Sequence, residues 1–190
     1  MTGASSATQW ATYRPRALAK PQPVGLEIRP AKPTECALVA EIEASRDGVD
    51  VDRAQRRCEA QATDPEVLLL VASVDGQIVG FARASRVRGL SNPPPETIPG
   101  GWYLQGVIVL DAWRRRGVGH ALTDARLDWI AHRADAAYYF ANARNRASLD
   151  LHAAMGFVEV TRRFSVPGVT FEGGEGVLCR IDLSGLRPHG

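Results

Sequence analysis

The segment that most constrains this chain spans residues 109–122, VLDAWRRRGVGHAL. An apolar, β-branched run stops, three arginines and two spaced glycines follow, and a helical pattern begins. Upstream, residues 104–110 (LQGVIVL) read as a strand. Downstream, Val118, Ala121, Leu122, Ala125 and Trp129 recur at helical spacing, so Gly117 and Gly119 sit at a strand-to-helix turn. A helix starting there directs its first N–H groups, and the positive end of its dipole, at a docked anion. The glycines admit backbone to that anion without a Cβ, and Arg114, Arg115 and Arg116 supply charge and forked donors. Two glycines alone would be read as an ordinary turn beside a solvated basic run; their position and the arginines favour a ligand phosphate. A dinucleotide fingerprint does not fit, because Leu122 stands where its third glycine belongs and the next strand ends in Asn142 rather than an acid. No GxxxxGK[ST] loop occurs.

A second pattern lies about 25 residues further on: NRASLDLHAAMGF, residues 145–157. Asn145, Ser148 and His152 share one face of a predicted helix, from which Leu151 and Ala154 turn away. Together, Arg114-x-x-Gly117-x-Gly119 and Asn145-x-x-Ser148-x-x-Leu151-His152-x-x-x-Gly156-Phe157 resemble the two signatures of the GNAT superfamily of acetyl-CoA-dependent N-acetyltransferases. The resemblance covers residues 25–184 and implies the GNAT acyltransferase fold, an α/β fold with a central mixed, largely antiparallel twisted sheet and helices on both faces.

The resemblance also implies a site. Val107, Ile108, Val109 and Leu110 would offer backbone groups to the pantetheine arm, and Gly106, a strand-interior glycine, fits the bulge this requires. Arg114, Arg115, Arg116, Gly117, Val118, Gly119, His120 and Ala121 would wrap the pyrophosphate. Asn145 and Ser148 would line the cofactor, although Asn145 is equally a natural N-cap. His152 stands where the family usually carries a tyrosine that protonates the departing thiolate. An imidazole can give a proton, but a lone helical histidine is more often packed or hydrogen-bonded. The carboxylate that several members carry on the preceding strand is missing here. Glu96 and Tyr103, acting through ordered water, are the candidates left for taking the proton of the acceptor amine. Attack is expected to be direct, without an acyl-enzyme, and no metal is implied.

The remaining chain adds bounds. A formal charge of +2 gives no electrostatic case for nucleic acid. Cys36, Cys58 and Cys179 are odd in number and lack metal-ligand spacing, which fits reduced thiols in a cytoplasm. No apolar run approaches the ~18–20 residues of a membrane span. Residues 1–24 read as a flexible arm, 25–184 as a single domain and 185–190 as a tail. Trp10 and Tyr13 of the arm could dock on the body or on a second copy, which leaves a homodimer open.

The pattern predicts a strand over 26–29, a helix over 34–45 capped by Thr34, a helix over 51–62, and a hairpin of 66–74 and 78–87 turning at Asp75-Gly76. A proline-rich loop over 88–101 could wall an acceptor pocket. A helix over 118–133, a strand over 137–141, a helix over 146–155 ending at Gly156, and strands over 158–163 and 177–182 complete the order. Glu41, Glu43, Asp47, Asp50 and Asp52 face only Arg46 in residues 41–52, an acidity that would suit a cationic amine; a merely solvated surface has the same composition. The reading is an N-acetyltransferase acting on a small-molecule primary amine such as an aminoglycoside or polyamine. The alternatives are a protein N-terminal or lysine acetyltransferase and a catalytically silent acetyl-CoA-binding module.

Overall fold

A computed structural model of the chain describes residues 20–94 and 96–186. The elements are β1 (Leu26–Pro30), α1 (Cys36–Asp47), α2 (Val51–Ala62), β2 (Val67–Val74), β3 (Gln77–Val87), β4 (Gly101–Val109), α3 (Val118–Ala131), β5 (Ala136–Asn142), α4 (Arg146–Ala154), β6 (Val158–Thr161) and β7 (Gly176–Asp182). The seven strands form one sheet in the order β1-β2-β3-β4-β5-β7-β6. It is mixed, as expected: β4 and β5 run parallel, while β1–β2, β5–β7 and β6–β7 are antiparallel. The chain divides into two compact units. One holds the described residues through Arg83 together with Gly106–Leu122; the other holds Ala84–Gln105 and the described residues from Thr123 on. Trp10 and Tyr13 lie outside the described residues.

In the first unit, Cys36, Val39, Cys58, Leu69, Val71, Ile78, Phe81 and Ile108 form an apolar core. The start of α1 differs from the Thr34 cap that the sequence suggests. A 3-10 turn, Pro33–Glu35, precedes the helix. Glu35 accepts the Lys32 N–H at 2.8 Å and hydrogen bonds from Nη1 and Nη2 of Arg29, at 2.9 and 2.7 Å. That double ion pair holds the Glu35 carboxyl down at about 2. Asp50 caps α2 by accepting the Arg53 N–H at 2.8 Å. The β2–β3 turn is as read: Asp75 and Gly76 both take positive φ, 50° and 79°, the signature of a type I′ hairpin. Gly80 allows a close approach of β3 to β4, because a Cβ there would lie 2.6 Å from the Ile108 carbonyl oxygen.

In the second unit, Ile98, Tyr103 and Leu178 are buried among Val87, Tyr138, Phe140, Phe164 and Val166. Tyr103 stacks on Tyr138 at 5.3 Å, and Gly176 leaves room for the rings of Phe171 and Phe164, which a Cβ would strike at 2.6 and 2.8 Å. The β4–β5 ladder has two pairs, Trp102↔Ala137 and Tyr103↔Tyr138. After α4, Gly156 takes φ 94°, the left-handed position expected of it.

Candidate active site

The anion loop lies in the first unit, between the end of β4 and the start of α3. Residues Asp111–Trp113 make a 3-10 turn, and Arg114 then extends with φ −67° and ψ 153°. Arg115 and Gly117 both adopt positive φ, 63° and 77°. The first turn of α3 closes where the Ala121 N–H bonds the Gly117 carbonyl at 2.9 Å. A Cβ added at Gly117 would meet nothing within 4 Å, so the loop leaves open space at the head of the helix. Open space beside a helix N-terminus is what a docking phosphate needs.

The three arginines have different surroundings. Arg114 is turned back on the loop, its Nε donating to the Val109 carbonyl at 3.0 Å and its Nη1 pairing with Asp111 at 2.6 Å. Arg116 lies over the Trp113 ring at 5.6 Å, and its buried Nε has no hydrogen-bond partner among the described residues. Arg115 is exposed. Arg114 is therefore engaged within the loop itself. Val118 is buried, whereas Gly119 and Ala121 are half-buried and His120 is exposed. The open space, the orphaned Arg116 nitrogen and the cationic rim fit a coenzyme pyrophosphate.

The backbone groups expected of β4 are partly engaged within the chain. The Leu110 N–H donates to the Val79 carbonyl at 2.9 Å, so it belongs to the β3–β4 pairing. The Val109 carbonyl takes Arg114, and the Val107 carbonyl accepts Arg46 Nη1 at 3.4 Å. Ile108 is buried with its carbonyl against Gly80. Gly106 takes φ 30° with open space where a Cβ would stand, consistent with a break in strand geometry.

In the second unit, α4 brings Asn145, Ser148 and His152 together. Asn145 is the N-cap, its Oδ1 accepting the Ser148 N–H at 3.2 Å. His152 is 3% exposed and its Nδ1 donates to the Ser148 carbonyl at 2.8 Å. The ring stacks on Tyr139 at 3.8 Å and meets the edge of Phe157 at 5.3 Å. Burial pushes its pKa down to about 4, helped by the nearby Arg126 charge. At neutral pH the imidazole is thus uncharged, with its one proton on Nδ1 and an Nε2 that has no partner among the described residues. In that state Nε2 holds no proton to give, which is the physical obstacle to the general-acid role expected of His152.

The two candidate bases also have defined surroundings. Tyr103 is fully buried and donates its hydroxyl to the Pro99 carbonyl at 2.8 Å; burial pushes its pKa upward, away from the phenolate. Glu96 is exposed and held at φ 66°, with its carbonyl accepting the Ser165 N–H at 2.7 Å.

The acidic stretch of residues 41–52 is partly engaged within the chain, and Glu43 is neutralised by partners that lie far away in sequence. Glu43 is 7% exposed and bonds Arg83 at 2.7 and 3.1 Å and Arg57 at 2.7 Å. Asp47 pairs with Arg46 at 2.7 Å, and Asp50 is the α2 cap. Glu41 and Asp52 remain exposed at the surface. Sequence reasoning missed Arg126. It sits on α3 between Leu122 and Ile130, is 1% exposed, and donates to the Gln105 carbonyl at 3.2 Å and the Thr123 hydroxyl at 2.7 Å. An arginine four residues from apolar neighbours on each side was the available signal. Cys36, Cys58 and Cys179 are free and buried, and no cluster of metal-ligating side chains occurs among the described residues. No described helix is long and apolar enough to cross a membrane.

Comparison with known proteins agrees with this geometry. An N-alpha-acetyltransferase of Sulfurisphaera tokodaii is 30% identical over 99 residues, half of this chain and 59% of that protein. This chain thus spans under two thirds of that relative's length. An aminoglycoside N(6')-acetyltransferase type 1 of Klebsiella aerogenes is 29% identical over 143 residues, covering 71% of this chain and 91% of that protein. The acetyltransferase yncA of Salmonella typhimurium, solved with its cofactor acetyl-CoA, superposes with a TM-score of 0.65 at 22% identity over 85% of this chain and 95% of its own. Residues 35–157, which include both the anion loop and α4, match the acetyltransferase (GNAT) family. The chain therefore belongs to the GNAT family of acetyl-CoA-dependent N-acetyltransferases.

Proposed function

We propose that the protein transfers an acetyl group from acetyl-CoA to a primary amine of a small molecule, within an acetyltransferase domain of residues 25–184. The observation that carries the donor side is the cradle at Gly117, where φ 77°, open space and the orphaned Arg116 nitrogen coincide at the head of α3. When bound, acetyl-CoA supplies an acetyl group already activated as a thioester. Arg115, Arg116 and the backbone of residues 117–121 hold the phosphates, and Arg114 keeps the loop in shape. Val107 and Val109 lie on the strand that leads into this loop and are assigned to the coenzyme arm.

A small-molecule acceptor is supported by the Klebsiella aerogenes relative, which aligns along nearly its whole length. Exposed Glu41 and Asp52 give a cationic amine a modest attraction; Glu43 does not, because Arg83 and Arg57 already neutralise it. An alkylammonium with a pKa near ~10.4 must lose a proton before it attacks. Exposed Glu96 can accept that proton through water, whereas buried Tyr103 would first have to release the Pro99 carbonyl. His152 is assigned a packing and hydrogen-bond-donating role toward the Ser148 carbonyl, so the proton reaching the departing sulfur comes from the amine or from water. The Sulfurisphaera tokodaii relative favours a second reading, a protein N-terminal acceptor. The buried thiols suit a reducing cytoplasm.

Free-thiol release from acetyl-CoA should be measured across aminoglycosides, polyamines, amino acids and peptides with free N-termini. Turnover with a small amine supports the proposal. Turnover confined to peptides replaces it with the second reading, and tight coenzyme binding without turnover on any amine would mark a silent module.

A further inference from the structure

Lys20 donates its backbone N–H to the Arg115 carbonyl at 2.8 Å. The bond falls on an unusual point of the anion loop, since Arg115 holds φ 63°, a conformation that residues with a side chain rarely adopt. A trans peptide sends its carbonyl and the following N–H to opposite sides. Fixing the Arg115 carbonyl toward Lys20 therefore turns the Arg116 N–H away from Lys20, and the peptide plane cannot flip without breaking the bond. Pro21 and Pro23 follow, and their fixed φ stiffens the strap. The Lys20 side chain is exposed. On the loop that Lys20 bonds, Arg114 is held by Asp111 and Val109 and Arg116 lies over Trp113.

We infer that the Lys20 segment is part of the coenzyme site. Its backbone clamps the Arg115–Arg116 peptide in the phosphate-holding orientation, and its ammonium adds charge for the coenzyme's phosphates. The inference rests on the proposed pyrophosphate role of the loop. It extends the site to a segment some 95 residues away in sequence, which neither signature motif includes.

The test is calorimetric binding of acetyl-CoA to the full chain and to two variants. Lys20→Ala keeps the N–H and removes the charge, whereas Lys20→Pro removes both. Lys20→Ala should weaken binding about threefold, the scale of an exposed ion pair, and flatten the dependence of affinity on salt. Lys20→Pro should weaken it about tenfold, as expected when a hydrogen bond that orders the loop is also lost. Melting temperatures report folding independently, and the exposed Lys20→Ala position should leave them unchanged. Repeating the titration with 3′-dephospho-acetyl-CoA separates the two phosphate sources. A Lys20→Ala loss seen with both ligands assigns the ammonium to the pyrophosphate, and a loss seen only with the intact coenzyme assigns it to the 3′-phosphate. Wild-type affinity in both variants would overturn the inference while leaving the loop's role intact. No binding by the unaltered protein would overturn the loop's role and the inference with it.

Discussion

The anion loop and α4 each carry one of the two motifs by which this chain is recognised, yet they differ in backbone conformation and in how far their polar residues are engaged. In the loop, positive φ at Arg115 and Gly117 opens the backbone, and the buried Arg116 Nε is left without a partner among the described residues. In α4, Asn145 is bonded to the Ser148 N–H and His152 to the Ser148 carbonyl, so their polar groups first serve the helix that presents them. A motif fixes residue type and backbone path. Local partners decide whether a side chain is spent on its own fold: in the loop Arg114 is engaged while Arg116 Nε is not, and in α4 Asn145 and the Nδ1 of His152 are engaged while the buried Nε2, among the described residues, is not. On the proposed reading the loop is the binding element, while the histidine of α4 is buried and neutral.

The strongest way to break this contrast is in the loop. Gly117→Glu places a Cβ at φ 77° and an anion where phosphates should bind. It should weaken acetyl-CoA binding about a thousandfold by calorimetry, through backbone strain plus charge repulsion. Retained affinity would mean that the loop is not a phosphate cradle.

The next effect belongs to α4 and is one of stability. The folded pKa of His152, about 4, lies below the unfolded value of about 6.5. As pH falls, the unfolded chain takes a proton that the native imidazole refuses. Its contribution is fully present above about pH 6.5 and is lost progressively toward pH 4, about 3 kcal/mol in all. Urea titrations across that range should show the slope, and His152→Phe should flatten it. The same variant should keep acetyl transfer within about tenfold at neutral pH, because a group that is not an acid removes no acid catalysis. A rate that collapses in His152→Phe while coenzyme affinity holds would return the general-acid role to His152.

Smaller effects sharpen the comparison. Asn145→Ala should cost about 1 kcal/mol of stability through the lost cap, with coenzyme affinity within about twofold. A larger loss of affinity at unchanged stability would mean that Asn145 touches the coenzyme directly. Arg115→Ala should do the reverse, weakening binding about fivefold with little change in melting, as suits an exposed arginine meeting an anion.

Much of this architecture can be read without coordinates, for local reasons. Asp75-Gly76 demands a type I′ turn, α2 begins at Val51 as expected, and Gly156 ends α4 in a left-handed conformation, each set by a few adjacent residues. What sequence reading misses is non-local. Thr34 is a good cap by type, but the Arg29–Glu35 ion pair organises the start of α1 instead. The acidity of residues 41–52 looks available for a cationic substrate until Arg83 and Arg57, 40 and 14 residues away, neutralise Glu43. Arg114 reads as a phosphate donor and is held by Asp111 and Val109. The polar stripe of α4 is legible as a face, but the burial of His152 against Tyr139 and Phe157 is not, because no helical periodicity reveals it.

The central claim is that the loop at the head of α3 binds the pyrophosphate of acetyl-CoA. The most direct test is a pair of calorimetric titrations, one with acetyl-CoA and one with acetyl-pantetheine, which keeps the thioester and the arm but has no phosphates. The account predicts saturable one-to-one binding of acetyl-CoA, weakened by salt, and affinity for acetyl-pantetheine lower by about a hundredfold or more. Equal affinity for the two ligands would contradict it.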